Sequence, residues 1–256
     1  MTESVHYLGA HRDKPDARDH AYAAPAEFLK SRPKQVDLRP LCPPVYDQRP
    51  LQSCTANAAA AAIQFERLRL KLKPDFTPSR LFIYYNERKL LGTEHQDDGA
   101  PLREAIKCLA KQGDCPEDRW PYEHAKVNDP PPERCYKDAV KYKDVRYAHL
   151  AQDLAHLQAC LASGRPFIFV FGVYASFDAP AAVKACMPSL PKAGEKFLGN
   201  HAVMAVGYDD TERRFILRNS WGPHWGQGGY FYLPYAYATD PKLAGDFWTL
   251  TLTPQA

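Results

Sequence analysis

The sequence contains no apolar run of the roughly 18 residues that a membrane-spanning helix needs. Its first stretch, MTESVHYLGAHRDKPDARDH, lacks the apolar core of a secretory signal. Both absences predict a soluble chain, cytoplasmic or exported by a non-classical route. An excess of one charge is missing too: 33 basic against 30 acidic residues leave +3, too little for a nucleic-acid or membrane-surface footprint. No internal repeat or low-complexity tract interrupts the chain. The seven cysteines include no C-x-x-C pair, which argues against a structural zinc cage, so neither a metal site nor a cofactor is expected. Their odd number leaves at least one thiol unpaired within the chain.

What is present divides the chain. Its 256 residues suffice for a large core, built as one domain or as two packed lobes. The 23 prolines gather in groups such as Pro43 with Pro44 and Pro130 to Pro132, which suits long ordered loops. Residues 1–33 are polar without a sustained period and read as an extended arm. After Cys54, TANAAAAAIQFERLRLKL runs to Pro74 without Gly or internal Pro, the strongest helix signal in the chain, with Ser53 as its predicted N-cap. A second helix fits PSRLFIYYNERKLL, from near Pro78 to Gly92, and a third fits PLREAIKCLAKQG, from Pro101 to Gly113. One more helix is predicted around AQDLAHLQACLASG. The segments PFIFVFGVY, HAVMAVGYDD, RFILRNSW and GGYFYLP then carry the β-branched and aromatic residues of strands. Helices followed by strands predict an α+β architecture: a helical lobe over about 50–145, a β lobe over about 146–256, and a substrate cleft between them.

A thiol attacks a carbonyl as thiolate, so a nucleophilic cysteine needs a device that lowers its pKa. Cys54 stands at the head of the alanine-rich helix, where the macrodipole favours negative charge by about 0.3–2 kcal/mol. That is too little alone, and an imidazole must supply the rest. His201 opens an apolar strand in GNHAVMAVGYDD, and Asn219 ends another in RFILRNSWGPHWGQGGYFYL, two residues before Trp221. An amide oxygen can hold the imidazole in one tautomer, and an indole lid strengthens that bond by excluding water. Separately these residues read as a buried helix-start cysteine and a core histidine. Together they form a nucleophile, a base and its orienting group. His224, in the S-W-G-P-H-W loop, lacks such a partner, and His95 with Asp97 and Asp98 reads as a polar loop rather than a metal site.

Over residues 34–256 the chain resembles the papain-like cysteine peptidases, in particular bacterial members without large propeptides. The resemblance rests on PPVYDQRPLQSCTANAAAA, where a glutamine and five further residues precede the cysteine. It rests equally on NHAVMAVGY followed by RNSWGPHWGQGGY, His201 and Asn219 being 18 residues apart. It implies a papain-like two-lobed fold with a helical left lobe, an antiparallel β-barrel-like right lobe and the active site in the cleft. It implies peptide-bond hydrolysis through a thioester, with Cys54, His201 and Asn219 as the triad and Gln48 donating to the oxyanion beside the Cys54 N–H. From DDGAPL it places Gly99 opposite the substrate backbone and Ala100 and Pro101 on the S2 wall. Val170, Gly199, Asn200 and Ala202 complete that pocket, Trp221 borders the cleft, and the floor falls in AGDFWTL. An apolar P2 side chain is implied, unless Asp246 forms the floor and admits a basic one. The chain departs from the family where Leu51 and Gln96 replace a bridged cysteine pair, Thr55 replaces a tryptophan, and Gln52 and Leu51 replace glycines.

The mature-like start KQVDLRP leaves residues 1–33 as an N-terminal extension, too short for the family's folded inhibitory domain. It is expected either to lie across the cleft and limit access to Cys54 or to pack on the surface. The expected partner is a peptide or protein substrate, with no nucleic acid or membrane, for a monomeric chain. An acyl transferase, deamidase or transpeptidase would use the same triad, and a catalytically silent homologue would bind peptides without cutting them.

Overall fold

The computed structural model describes residues 7–253. The arm contains strand β1 (Ala10–His11) and helix α1 (Ala26–Lys30), and strand β2 (Gln35–Asp37) follows it. The helical half holds α2 (Cys54–Arg69), α3 (Arg80–Leu91), strand β3 (Ala100–Pro101), α4 (Leu102–Gln112) and α5 (Glu133–Ala139). Then come β4 (Val145–His149), α6 (Leu154–Ala162), β5 (Phe167–Tyr174), α7 (Pro180–Ala185) and β6 (Phe197–Asp209). β7 (Arg214–Arg218), β8 (Tyr230–Pro234), α8 (Tyr235–Thr239) and β9 (Ala244–Leu252) complete the chain.

Helix α2 is buried around its whole circumference from Cys54 to Arg67. Its alanines leave room for helices on one side and the sheet on the other, so it becomes the axis of the molecule. Ser53 occupies the N-cap position but makes no capping bond. Its Oγ instead shares a 2.5 Å hydrogen bond with the Tyr122 hydroxyl and accepts from Asn57 Nδ2 at 3.0 Å. The expected capping bond is thus lost to side-chain partners. Helix α3 is closed as its sequence predicts: Ser79 Oγ accepts from Phe82 N, and Gly92 ends it with a left-handed φ of 72°. Helix α4 is preceded by Pro101, which offers no side-chain cap. The carboxylate of Asp13, far away in the arm, accepts from the Arg103 N–H at 3.1 Å and caps it in trans.

The second half forms a seven-stranded sheet in the order β4-β9-β5-β6-β7-β8, with β2 also on β6. All its pairs are antiparallel. The β-barrel-like lobe is an open sheet: the path ends at β4 and β8, and no pairing among the described residues closes it. β2, from the segment before Cys54, adds a strand that the sequence patterns did not reveal.

Period-two alternation sorts the two cores. Ile168 and Val170 of β5, with Ala202, Met204 and Val206 of β6, face α2. Phe167, Phe169 and Phe171, with Val203 and Ala205, face an aromatic core on the other side. There the rings of Phe169 and Phe247 stack at 4.9 Å. Burying each such ring contributes about 1.5–3 kcal/mol, so the strand bearing His201 is clamped on both faces.

Candidate active site

Two loops bring the halves together. Arg218, at the end of β7, donates to the carbonyl oxygens of Pro43 at 2.7 Å and Pro44 at 2.5 Å. The Gln48 N–H donates to Ser220 O at 2.8 Å, and Asp47 makes a β-bridge with Trp221. These contacts seat the segment before Cys54 on the loop that carries Asn219.

His201 Nε2 and Asn219 Oδ1 are 2.8 Å apart, and the same oxygen accepts from the Ser220 N–H at 2.8 Å. The Trp221 ring lies over the imidazole at 4.7 Å between centroids, tilted 30°. Both His201 and Asn219 are buried, so the bond is formed away from competing water.

The backbone N–H groups of Ala202, Gly9 and Thr55 hydrogen-bond to the Cys54 sulfur. Ala202 directly follows His201, so the backbone next to the imidazole-bearing residue reaches the thiol. Here the structure corrects an expectation. The thiol is not an exposed, low-pKa thiolate but is fully buried, and burial, with a smaller contribution from the Glu87 carboxylate, pushes it up to about 12. The arm is the cause of part of that burial, since Gly9 itself touches the sulfur.

Gln48 is also completely buried. Its Oε1 accepts from Ser220 Oγ at 2.5 Å, while its Nε2 donates to Leu51 O at 3.0 Å and to Tyr7 O at 3.1 Å. The Ser220 contact aims the amide and had no signal in the sequence, because it depends on a fold-level meeting of two loops.

The residues expected to wall the substrate groove gather around the arm. β1 runs parallel to β3, pairing Ala10 with Ala100 and His11 with Pro101, and Gly9 O accepts from the Ala100 N–H at 2.9 Å. Gly99 has φ +69°, and a Cβ there would stand 1.9 Å from Gly9 O, so this close approach of two backbones requires glycine. A Cβ on Gly199 would meet the Leu8 side chain at 3.1 Å. Ala10 packs in the same buried cluster as Val170 and Ala202. Asn200 pairs with Gly172 at the half-exposed end of β6. Trp221 stands beside Trp225 at 4.9 Å and borders a cavity of about 410 Å³ lined by Phe177, His224 and Phe231.

Hydrogen bonds stand where the bridged cysteine pair is missing. The Gln52 N–H donates to Asp97 Oδ1 at 3.0 Å, Gln52 Nε2 to Asp97 O at 2.7 Å, and the Tyr84 hydroxyl to Asp97 Oδ1 at 2.5 Å. All seven cysteines are free. Thr55, at the replaced tryptophan, donates to the buried Glu87 carboxylate at 2.8 Å, and desolvation pushes Glu87 up to about 8. Asp97 is therefore an acceptor within the loop rather than a metal ligand. No group of metal-ligating side chains occurs among the described residues, and no helix among them is long and apolar enough to cross a membrane.

A family model described as papain family cysteine protease matches residues 32–240. Among solved structures, xylellain, a cysteine protease from Xylella fastidiosa, superposes with a TM-score of 0.91 at 45% identity, covering 97% of each chain. A peptidase C1-like protein of Acanthamoeba polyphaga mimivirus is 38% identical over 95% of this chain and 86% of its own length. Procathepsin B S9 of Trypanosoma congolense, at 18% identity and TM-score 0.72 over 97% of this chain and 86% of its own, is similar in fold.

Proposed function

Given that this chain belongs to the papain family of cysteine proteases, we propose that Cys54 is its nucleophile, His201 its base, Asn219 the orienting amide and Gln48 the oxyanion donor. The activity is that of a cysteine peptidase, a hydrolase. The observation that carries the residue assignment is the 2.8 Å bond from His201 Nε2 to Asn219 Oδ1, formed on the strand whose next N–H touches the Cys54 sulfur. With Nε2 committed to Asn219, Nδ1 is the nitrogen that exchanges a proton with the thiol.

In the reaction the thiol passes its proton to His201 Nδ1 and the sulfur attacks the peptide carbonyl carbon. The oxyanion is held by Gln48 Nε2 and the Cys54 N–H. The C–N bond breaks, the leaving amine takes the proton from the imidazolium, and a thioester remains. Water, deprotonated by the same imidazole, hydrolyses the thioester and restores the thiol.

The arm is the built-in competitor of the substrate in this reading. It lies along the wall at Ala100, sets a carbonyl on the Gln48 amide and keeps the sulfur dry, so the described state is a closed one. Turnover of a fluorogenic peptide mixture tests the assignment. Cys54→Ala abolishes it, and Asn219→Ala lowers it by about 10-fold, the worth of a hydrogen bond of about 1.4 kcal/mol, with the fold retained. An Asn219→Ala chain as active as its parent removes Asn219 from the mechanism.

A further inference from the structure

A cavity of about 200 Å³ lies towards the end of α2 opposite to Cys54. Ile63 and Arg67 of that helix line it, with Leu72, Asp114, Tyr142 and Leu252. Arg67 comes 13 residues after Cys54, about 20 Å along the axis at 1.5 Å per residue, so the cavity is separate from the groove under the arm. Asp114 follows Gly113, whose φ of 85° ends α4. The Ser79 N–H donates to Cys115 O at 2.7 Å and the Glu117 N–H to Thr77 O at 2.8 Å, so the turn that carries Asp114 is pinned. Asp114 is buried, with 1% of its surface exposed, and neither carboxylate oxygen has a hydrogen-bond partner among the described residues. Burial pushes its carboxyl well above the usual carboxylate range, with Arg67 opposing and Glu117 adding to the shift. The Arg67 guanidinium lies over Phe76 at 3.9 Å and Tyr142 at 5.1 Å, and its Nη2 donates to Pro74 O. Its buried Nε has no partner among the described residues. An orphaned acceptor and an orphaned donor thus belong to the wall of one cavity.

We infer that this cavity binds a free α-amino acid with an apolar side chain, its ammonium on the Asp114 carboxylate and its carboxylate on the Arg67 guanidinium. The inference goes beyond the peptidase reading and does not depend on it. A buried carboxylate without donors is costly, and an ammonium supplies both the opposite charge and three N–H donors. The Arg67 Nε needs an acceptor, and a carboxylate gives it a charge-assisted bond. A ligand bearing only one of the two charges leaves either Asp114 or Arg67 unpaired. Ile63, Leu72 and Leu252 make the rest of the wall apolar, which suits an aliphatic side chain. The volume is below the roughly 300–1,000 Å³ of pockets for larger ligands, which favours a molecule of amino-acid size over a longer peptide. Lys73, Lys141 and Asp144 complete the charged lining, and Lys141 Nζ is already engaged by Asp138 Oδ1 at 2.7 Å.

Calorimetry on the full-length chain tests this with three probes: L-leucine, N-acetyl-L-leucine, which lacks the ammonium, and L-leucinamide, which lacks the carboxylate. L-Leucine is expected to bind with a Kd of about 1 mM or below, and each blocked derivative at least about 10-fold more weakly. Asp114→Asn, which keeps the shape and removes the charge, is expected to weaken L-leucine at least about 10-fold. Leu72→Trp changes a half-buried wall position, fills the cavity and abolishes binding, and it decides the matter where the Asp114 variant does not fold. No binding of L-leucine at about 10 mM, equal affinities for the three probes, or binding that survives Leu72→Trp overturns the inference.

Discussion

The side-chain amide of Gln48 donates to the carbonyl oxygen of Tyr7 across 3.1 Å, so a carbonyl of the chain's own arm stands where the proposed chemistry needs an oxyanion. The Gly9 N–H, two residues on, reaches the Cys54 sulfur. The proposed nucleophile and oxyanion donor are thus covered by one short stretch of backbone, anchored at Asp13 by Arg103 and by the Trp248 indole, which donates at 3.0 Å.

Removing the proposed oxyanion donor isolates its contribution. In a chain of residues 34–256, Gln48→Ala is expected to lower kcat about 10²–10³-fold, the usual cost of one preorganised donor, with little change in KM. Steady-state kinetics on one fluorogenic peptide check this. An unchanged kcat assigns Gln48 to loop structure alone, through its contacts to Ser220 and Leu51.

Deleting residues 2–33 is expected to raise kcat/KM and lower stability together. The first effect follows from uncovering Cys54 and the Ala100 edge. The second follows from stripping α4 of its trans cap, a loss of about 0.5–2 kcal/mol, which for a chain of this size lowers Tm by about 2–4 °C per kcal/mol. Activity assays and thermal melts on the same two proteins check both. An unchanged rate removes the gating role, and an unchanged Tm removes the structural one.

The arm's hold is expected to weaken with rising pH. Docked, Asp13 is pushed up to about 6 from 3.8, first by burial and then by the Asp246 carboxylate, while the Arg103 N–H, the Trp248 indole and the Arg103 charge pull it back. Arg12, Lys14, Asp16 and Asp19 of the arm and His149 of β4 complete the charged surroundings. Released, the carboxylate returns towards its ordinary range, so protonation favours docking. That contribution is full below about pH 4 and is lost as pH rises through about 6. The ratio of full-length to 34–256 activity should therefore climb across that window, and Asp13→Asn should flatten it. A ratio that falls with pH contradicts the assignment.

Where function depends on short-range order, the sequence was legible. The cysteine at the head of an alanine-rich run, the Asn219 to Trp221 spacing and the Ser79 and Gly92 ends of α3 are local signals, and the structure closes α3 at both of those ends. Ser53 misled because its hydroxyl meets Tyr122, a residue 69 positions away, before any helix N–H. The cap on α4, the aim of Gln48 by Ser220 and the Gln52 to Asp97 tie are likewise meetings of distant segments that no window of sequence records. The low-pKa thiolate expected at a helix start was overridden by desolvation, because the covering strand comes from an arm with no periodic pattern of its own.

The most direct test of the central claim is the rate at which iodoacetamide alkylates Cys54 at pH 7, mapped by mass spectrometry in the full-length chain and in residues 34–256. The account predicts slow modification when the arm is present, and fast modification of Cys54 ahead of the other six cysteines once it is removed. Equal rates in the two proteins, or adducts elsewhere with Cys54 untouched in the shortened chain, would contradict it.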